Sequence, residues 1–173
     1  DFGIRDFDIY MGISAGSFQH TRSGDFKYWI LDPMFEEIAE ASEPNQFHVY
    51  METEGRKVAT VMNTGRHERY DWNWQWPGDG EQSALFPVTW TDYRWRKFPA
   101  YASLLEFSPV IPGDDKLAHL PVRVCTWRFH NPTTKPVTVS VMLTWALATP
   151  SVWGYGRTDY SETSKAVLAE ITE

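Results

Sequence analysis

Three tryptophans at alternate positions, Trp72, Trp74 and Trp76, are the residues that most suggest contact with a ligand. In an extended segment, side chains two residues apart point to the same side, so the three rings would form one face. The flat apolar face of a tryptophan matches the C–H face of a pyranose ring. Asn73 and Gln75 between them offer hydrogen-bond donors and acceptors for sugar hydroxyls. The segment is therefore a candidate sugar-binding surface; alternatively, the same face packs on the core or docks on another domain.

The other reactive side chains form no recognisable catalytic or metal-binding pattern. The five histidines lie far apart and include no HExxH pair, so no metal site is predicted. Cys125, the one cysteine, lies in a strand-like run, where a small buried thiol is expected. Glycoside hydrolysis needs two carboxyl groups, and none of the 23 acidic residues stands out as a member of such a pair. We therefore predict no catalytic residue and no cofactor for this chain.

Charge and composition narrow the range of partners and locations. The formal net charge is −7 and no basic stripe is present to neutralise phosphates, so nucleic acid is not an expected partner. No run of about 18 apolar residues suggests a transmembrane segment. A single cysteine excludes a disulfide framework and permits a reducing compartment, and the predicted location is cytoplasmic. The chain begins at Asp1 and ends in a strand-like run, as expected of a truncated piece of a longer protein.

Short strands separated by turn signals dominate the sequence. In the run 137–145, apolar residues alternate with Thr138, Ser140 and Thr144, which is the pattern of a half-buried strand. A turn-rich segment with two prolines joins this run to the run 122–129, and the two are expected to pair. Further strands are expected at 26–31, 46–52, 57–62, 101–110 and 166–172, with a hairpin tip at 53–56 and loops at 71–82, 113–120 and 151–164.

These elements predict an all-β fold, an antiparallel β-sandwich that occupies residues 1–173 as part of one domain. At most one short helix is expected. Asp32 could cap this helix, Pro33 suits its first turn, and the helix would end near Ala41, before Pro44. At that length it would be marginal in isolation.

Five motifs follow one another in a fixed order between about residue 10 and residue 147. They are Gly16-Ser17-Phe18 through Gly24-Asp25-Phe26-Lys27-Tyr28-Trp29, Asn45-Gln46-Phe47, Ala84-Leu85-Phe86-Pro87, Glu106-Phe107-Ser108-Pro109-Val110-Ile111-Pro112, and Leu120-Pro121-Val122. In order and spacing they resemble the N-terminal domain of glycoside hydrolase family 116, the non-lysosomal glucosylceramidase and bacterial β-glucosidase type.

The resemblance implies a supersandwich-like domain followed by a catalytic (α/α)6 barrel that lies C-terminal to this chain. Members of the family hydrolyse β-glucosides, including glucosylceramide, by a retaining mechanism with two carboxylates and no cofactor. Those carboxylates lie in the barrel, and no position of this chain matches their motifs. The implied partners are the barrel of the same protein and, through the whole protein, a β-glucoside or glucosylceramide substrate.

Three functions remain open at this point. In the first, the chain is a non-catalytic sandwich that packs on the barrel and borders it. In the second, it is a free-standing carbohydrate-binding module that uses Trp72, Trp74 and Trp76. In the third, it is a structural sandwich of an unrelated enzyme. A large apolar docking face would favour the first function, and sugar binding by the isolated chain would favour the second.

Overall fold

The computed structural model describes residues 13, 17–21, 24–30, 45–63, 80–144 and 167–171. Within these ranges the chain forms ten strands and one short helix. In chain order they are β1 (Ser17–His20), β2 (Phe26–Ile30), β3 (Gln46–Thr53), β4 (Arg56–Val61), β5 (Gly80–Leu85), β6 (Val88–Tyr93), β7 (Tyr101–Phe107), α1 (Asp115–Ala118), β8 (Val124–His130), β9 (Thr138–Thr144) and β10 (Val167–Ile171).

Strands β5 to β8 form an antiparallel sheet in which each strand pairs with the next one along the chain. We call it the meander sheet. In β7, Leu104 and Glu106 are buried, whereas Leu105 and Phe107 are only half-buried. Successive side chains of a strand point to opposite faces. Leu104 and Glu106 therefore point into the molecule, and Leu105 and Phe107 belong to the outer face.

The second four-stranded sheet has the order β10-β9-β3-β4 and is also antiparallel throughout. A tight turn joins β3 to β4 at the predicted hairpin tip, where Glu54 and Gly55 adopt positive φ angles of 47° and 77°. Two-residue hairpin turns of this kind require positive φ at their central residues. The alternation predicted for β9 is confirmed, because Val139 belongs to the core and Val141 and Leu143 pack against it.

The core lies between the two four-stranded sheets. Phe47 of β3 meets Trp127 of β8 edge to face, with 5.4 Å between ring centroids, and Tyr93 of β6 stacks on the same tryptophan at 5.5 Å. The antiparallel pair β1–β2 adds Phe18 and Phe26 to this cluster. The inner faces of two antiparallel sheets thus pack on one another, which confirms the predicted β-sandwich.

The expected pairing of the runs 122–129 and 137–145 is wrong. β8 pairs with β7, while β9 pairs with β3 and β10, so these consecutive strands lie in opposite sheets. Their connection explains the difference. The side chain of Asn131 accepts a hydrogen bond from the Thr133 N–H and donates one to the Lys135 carbonyl oxygen. The Asn131 side chain thus stabilises an arch that carries the chain from one sheet to the other. A hairpin would instead need a short turn whose backbone twist matches that of the two strands.

Most other strands lie within three residues of their expected positions. The hairpin β5–β6 is not among the expected strands, and its first residues fall in the expected loop 71–82. β1 is a further strand that the expectations lack. The expected helix at 32–41 and the expected loop at 151–164 lie outside the described residues.

The helix α1, the one helix of the described ranges, occupies one turn of the expected loop 113–120. Asp114 caps it, because its carboxylate accepts from the Leu117 N–H at 3.1 Å. In the part of the chain that the structure describes, no helix has the length and apolar character needed to cross a membrane.

Candidate functional site

Trp72, Trp74 and Trp76 lie outside the described residues. Their contact with sugar therefore stays a prediction from the sequence. The described ranges contain two other features that bear on function. One is a group of exposed apolar side chains at one end of the meander sheet, and the other is a buried ionic cluster beneath that end.

Exposed apolar side chains are concentrated at one end of the meander sheet. Ten large hydrophobic side chains of the described ranges are exposed, and seven of these lie at this end. They are Leu85, Phe86, Val88, Ile111, Leu120, Val122 and Val124. Isolated apolar residues are ordinary on a protein surface, but a contiguous group of them marks an interaction site. We call these seven residues, together with Phe107, the apolar end.

The strand register brings four of these residues into one row. Leu85 pairs with Val88 across the β5–β6 turn, Val88 pairs with Phe107, and Phe107 pairs with Val124. Directly opposite residues on one face have Cβ atoms about 5 Å apart. The row therefore crosses all four strands on the outer face, and the exposed Phe86 lies in the turn just beyond the ends of β5 and β6.

The segment 108–123 completes the apolar end. It leaves β7 and returns to β8 at the row just described, and it carries Ile111, Leu120 and Val122. α1 lies in its middle, and the backbone N–H of Ile13 donates to the Ala118 carbonyl oxygen at 2.7 Å. Because Ile13 is itself exposed, this contact adds one more apolar side chain beside the segment.

Directly beneath the row, Glu106 of β7 is the centre of a buried ionic cluster. Nδ1 of His20 lies 3.1 Å and 3.0 Å from its two carboxylate oxygens. Oε1 also accepts from Nε and Nη2 of Arg123, at 3.1 Å and 3.0 Å. The Glu106 side chain is 0% exposed and that of Arg123 is 3% exposed. Phe26 stacks on His20, and the Arg123 guanidinium lies over the ring of Phe18. Both charges are thus paired and enclosed by rings, as buried charges must be.

The cluster holds the apolar end in place. Arg123 directly precedes β8 and lies between the exposed Val122 and Val124, while its own side chain is buried against Glu106. This contact fixes the backbone where the segment 108–123 re-enters the sheet. His20 attaches β1 to the same carboxylate across 86 positions of sequence. The outer apolar surface and the inner ionic cluster therefore form one structural unit.

Competing effects set the pKa of Glu106. Burial alone would raise it, but attraction to His20 and Arg123, with the hydrogen bonds that they donate, outweighs burial and lowers the pKa to about 2. Glu106 is therefore an ionised carboxylate at neutral pH. Burial raises the pKa of the Tyr93 hydroxyl well above its usual range, and the charge of Glu106 adds to that rise.

The thiol of Cys125 meets the same carboxylate, with Sγ 3.6 Å from Oε1 of Glu106. Burial of the thiol raises its pKa to about 12, and the negative charge of Glu106 adds to the rise. The residue as a whole is nevertheless exposed, which differs from the expected buried position. The contact with a fully buried carboxylate indicates that the sulfur faces inward, so Cys125 is a protected thiol.

The ionic cluster does not have the arrangement of a glycosidase active site. Such a site needs two carboxyl groups beside the scissile bond, whereas Glu106 is fully buried and both of its oxygens are engaged. Among the described residues, no three or more His, Cys, Asp or Glu side chains are placed to hold a metal ion. The sequence contains one signal of the cluster, an acidic residue at a position where an apolar one is expected. Glu106 lies on the same inward-facing side of β7 as the apolar Ala102 and Leu104.

Residues 12–169 match the family described as "beta-glucosidase 2, glycosyl-hydrolase family 116 N-term". The match covers nearly the whole chain and includes the apolar end, the ionic cluster and the five ordered motifs. The β-sandwich between residues 17 and 171 is the fold that the resemblance implies. The chain therefore belongs to glycoside hydrolase family 116 and corresponds to the N-terminal domain of that family.

Proposed function

We propose that this chain is the non-catalytic β-sandwich of a retaining β-glucosidase or glucosylceramidase. In the full protein an (α/α)6 catalytic domain follows the sandwich, and the sandwich packs on this domain and borders it. Membership of the family supports the position as an N-terminal domain of a glycoside hydrolase. The ordered motifs support the β-glucoside substrate class. A cytoplasmic location is part of the same proposal.

The observation that carries this proposal is the apolar end. Burying a leucine side chain fully is worth about 1.5–3 kcal/mol, and Leu85, at 82% exposed, leaves most of that gain for a partner. Phe86 follows it directly and Val88 follows after Pro87, and both are also exposed. A partner that covers the whole apolar end would remove all of these side chains from water.

The shape of the apolar end suits a helical partner. A row of side chains across four strands is a nearly flat surface, and helices bury their apolar stripes against such sheet faces. The contact of Arg123 with Glu106 fixes the C-terminal end of the segment 108–123, so part of the conformational freedom of the segment is already lost before docking. A free-standing module would instead keep this surface in water, which makes that alternative the weaker one.

The docking is tested in the full-length protein by placing a charge in the row. In the Leu85→Asp and Val124→Asp variants, an unpaired carboxylate would lie inside the interface, with an expected loss of about 2–4 kcal/mol of docking free energy. We expect an earlier thermal transition for the sandwich and faster proteolysis between the two domains. Turnover of an aryl β-glucoside reports on the catalytic domain in the same samples.

The matched control is Ala59→Asp, which introduces the same charge at an exposed position of β4 in the other sheet. It should leave both the melting temperature and the protease pattern unchanged. If Leu85→Asp and Ala59→Asp behave alike in both assays, the apolar end is not the docking surface.

A further inference from the structure

Beyond the apolar end, the outer face of the meander sheet changes from apolar to mixed aromatic and polar. The register places Ser83, Trp90, Leu105 and Thr126 in the next row and Glu81, Asp92, Ser103 and Arg128 in the row after it, followed by the pair Tyr101 and His130. We call the six residues Trp90, Asp92, Ser103, Arg128, Tyr101 and His130 the aromatic strip. Of the ten exposed large hydrophobic residues in the described ranges, seven belong to the apolar end and Ile13 lies beside it. The remaining two are Trp90 and Tyr101.

One end of the aromatic strip is an indole ring held in a fixed position. Trp90 is 46% exposed, and its Nε1–H donates to Oδ1 of Asp92 at 2.8 Å. The two residues are two positions apart on one strand and so lie on the same face. The hydrogen bond orients the ring before any ligand arrives, while a carboxylate such as that of Asp92 still has lone pairs to accept from a hydroxyl group.

The other end of the aromatic strip is a pair of stacked rings. Tyr101 is 58% exposed, and its ring is nearly parallel to that of its cross-strand partner His130, with 9° between the planes and 6.1 Å between the centroids. Trp90 pairs with Leu105, which is four residues from Tyr101 along β7. At about 3.4 Å per residue, the two ring platforms are therefore roughly 13–14 Å apart along the strand. That separation suits a short chain of linked units better than a single ring.

The charges on and beside the aromatic strip cancel. Asp92 and Glu81 are acidic, Arg128 and Arg94 are basic, and Arg94 forms an ion pair with Glu81 at 3.0 Å. Binding to phosphates or to an anionic lipid surface needs an excess of positive charge on the protein, and a surface with balanced charge provides none. It instead offers donors and acceptors side by side, as a neutral ligand with many hydroxyl groups requires.

We propose that the aromatic strip binds a neutral oligosaccharide, with sugar rings stacked on Trp90 and Tyr101 and with hydroxyl groups hydrogen-bonded to Asp92, Ser103 and Arg128. The apolar C–H faces of pyranose rings match the exposed ring faces. The site differs from Trp72, Trp74 and Trp76, and it does not depend on docking at the apolar end.

The test is calorimetric titration of the full-length protein with a thio-linked β-1,4-glucotetraose, which a glycosidase does not cleave, after the active site has been saturated with a glucose-sized competitive inhibitor such as deoxynojirimycin, so that the heat reports on binding outside the active site. The Trp90→Ala and Tyr101→Ala variants each remove one ring platform from a solvent-facing strand. We expect each to weaken binding about tenfold, equivalent to about 1.4 kcal/mol. The control is Tyr50→Ala, which removes a half-buried aromatic ring from the outer face of β3 in the other sheet, outside both the strip and the apolar end, and should leave the affinity within about twofold.

Each outcome of the titration decides the proposal. Loss of affinity in both strip variants, with none in the control, supports it. Unchanged affinity in Trp90→Ala and Tyr101→Ala overturns it, and so does an equal loss in Tyr50→Ala. The docking proposal is judged separately by the melting temperature and the protease pattern, so either proposal can fail while the other stands.

Discussion

Replacing Glu106 by Gln tests the ionic cluster most directly. The variant keeps the shape of the side chain but leaves the guanidinium of Arg123, which is 3% exposed, without its counter-charge. Removing one partner of a buried ion pair costs about 3–5 kcal/mol. The lowering of the Glu106 pKa from 4.5 to about 2 corresponds to about 3 kcal/mol of stability. The two values agree, so we expect Glu106→Gln to lose about 3 kcal/mol.

A double variant separates the loss of the pair from the cost of an unpaired charge. Glu106→Leu combined with Arg123→Met fills the same space with apolar atoms, and such replacements are often neutral or stabilising. We expect the double variant to be more stable than Glu106→Gln, although His20 still lacks its acceptor. Native-state hydrogen exchange of the β7 and β8 amides in the full-length protein measures these differences strand by strand.

The pH dependence has a definite sign. The folded-state pKa of Glu106 lies below its ordinary value of 4.5, so its stabilisation is fully present above about pH 4.5 and is lost as the pH falls toward 2. The wild type should therefore lose about 3 kcal/mol across that window, and Glu106→Gln should lack this component. Equal amide protection of the two proteins at pH 7, or equal acid sensitivity, would refute the assignment.

Three further outcomes are expected. Cys125 should react with iodoacetamide at pH 8 at least about a hundredfold more slowly than a free cysteine, because its pKa is raised. Glu106→Gln should speed this reaction, and equal rates in the wild type and the variant would contradict the contact between Cys125 and Glu106. Trp74→Ala should change domain docking or sugar affinity more than stability, whereas a loss of several kcal/mol in the isolated chain would place that ring in the core. The purified chain alone should not hydrolyse an aryl β-glucoside, and robust turnover by contaminant-free chain would disprove this.

Strands with clear two-residue periodicity are predictable from the sequence. The alternation in the run 137–145 places Val139 in the core and Leu143 against it, as the structure confirms. β5 is harder to predict, because Gly80-Glu81-Gln82-Ser83 is polar and lies at an exposed sheet edge. Neither face of such a strand is fully buried, so its residues show no alternation of apolar and polar types. Its position becomes clear only from pairing with β6.

Strand partners and buried clusters depend on contacts that local patterns do not encode. β8 and β9 each have the features of a hairpin strand, and yet β8 pairs with β7, the strand before it, and β9 pairs with β3, which lies far away in the sequence. The ionic cluster joins Glu106 to His20 across 86 positions and to Arg123 across 17. An acidic residue on the inward phase of β7 can be seen in the sequence, but its counter-charges cannot.

The pairing of β3 with β9 has a consequence for synthesis on the ribosome. His48 meets Thr144 across 96 positions. At a translation rate of about 5–20 residues per second, β3 waits about 5–20 s for its neighbour. During that time the β3–β4 hairpin has an open edge with unpaired backbone groups that invite other nascent chains. Slower elongation along the codons for residues 64–137 should therefore raise the insoluble fraction of the protein, and a chaperone that covers that edge should lower it.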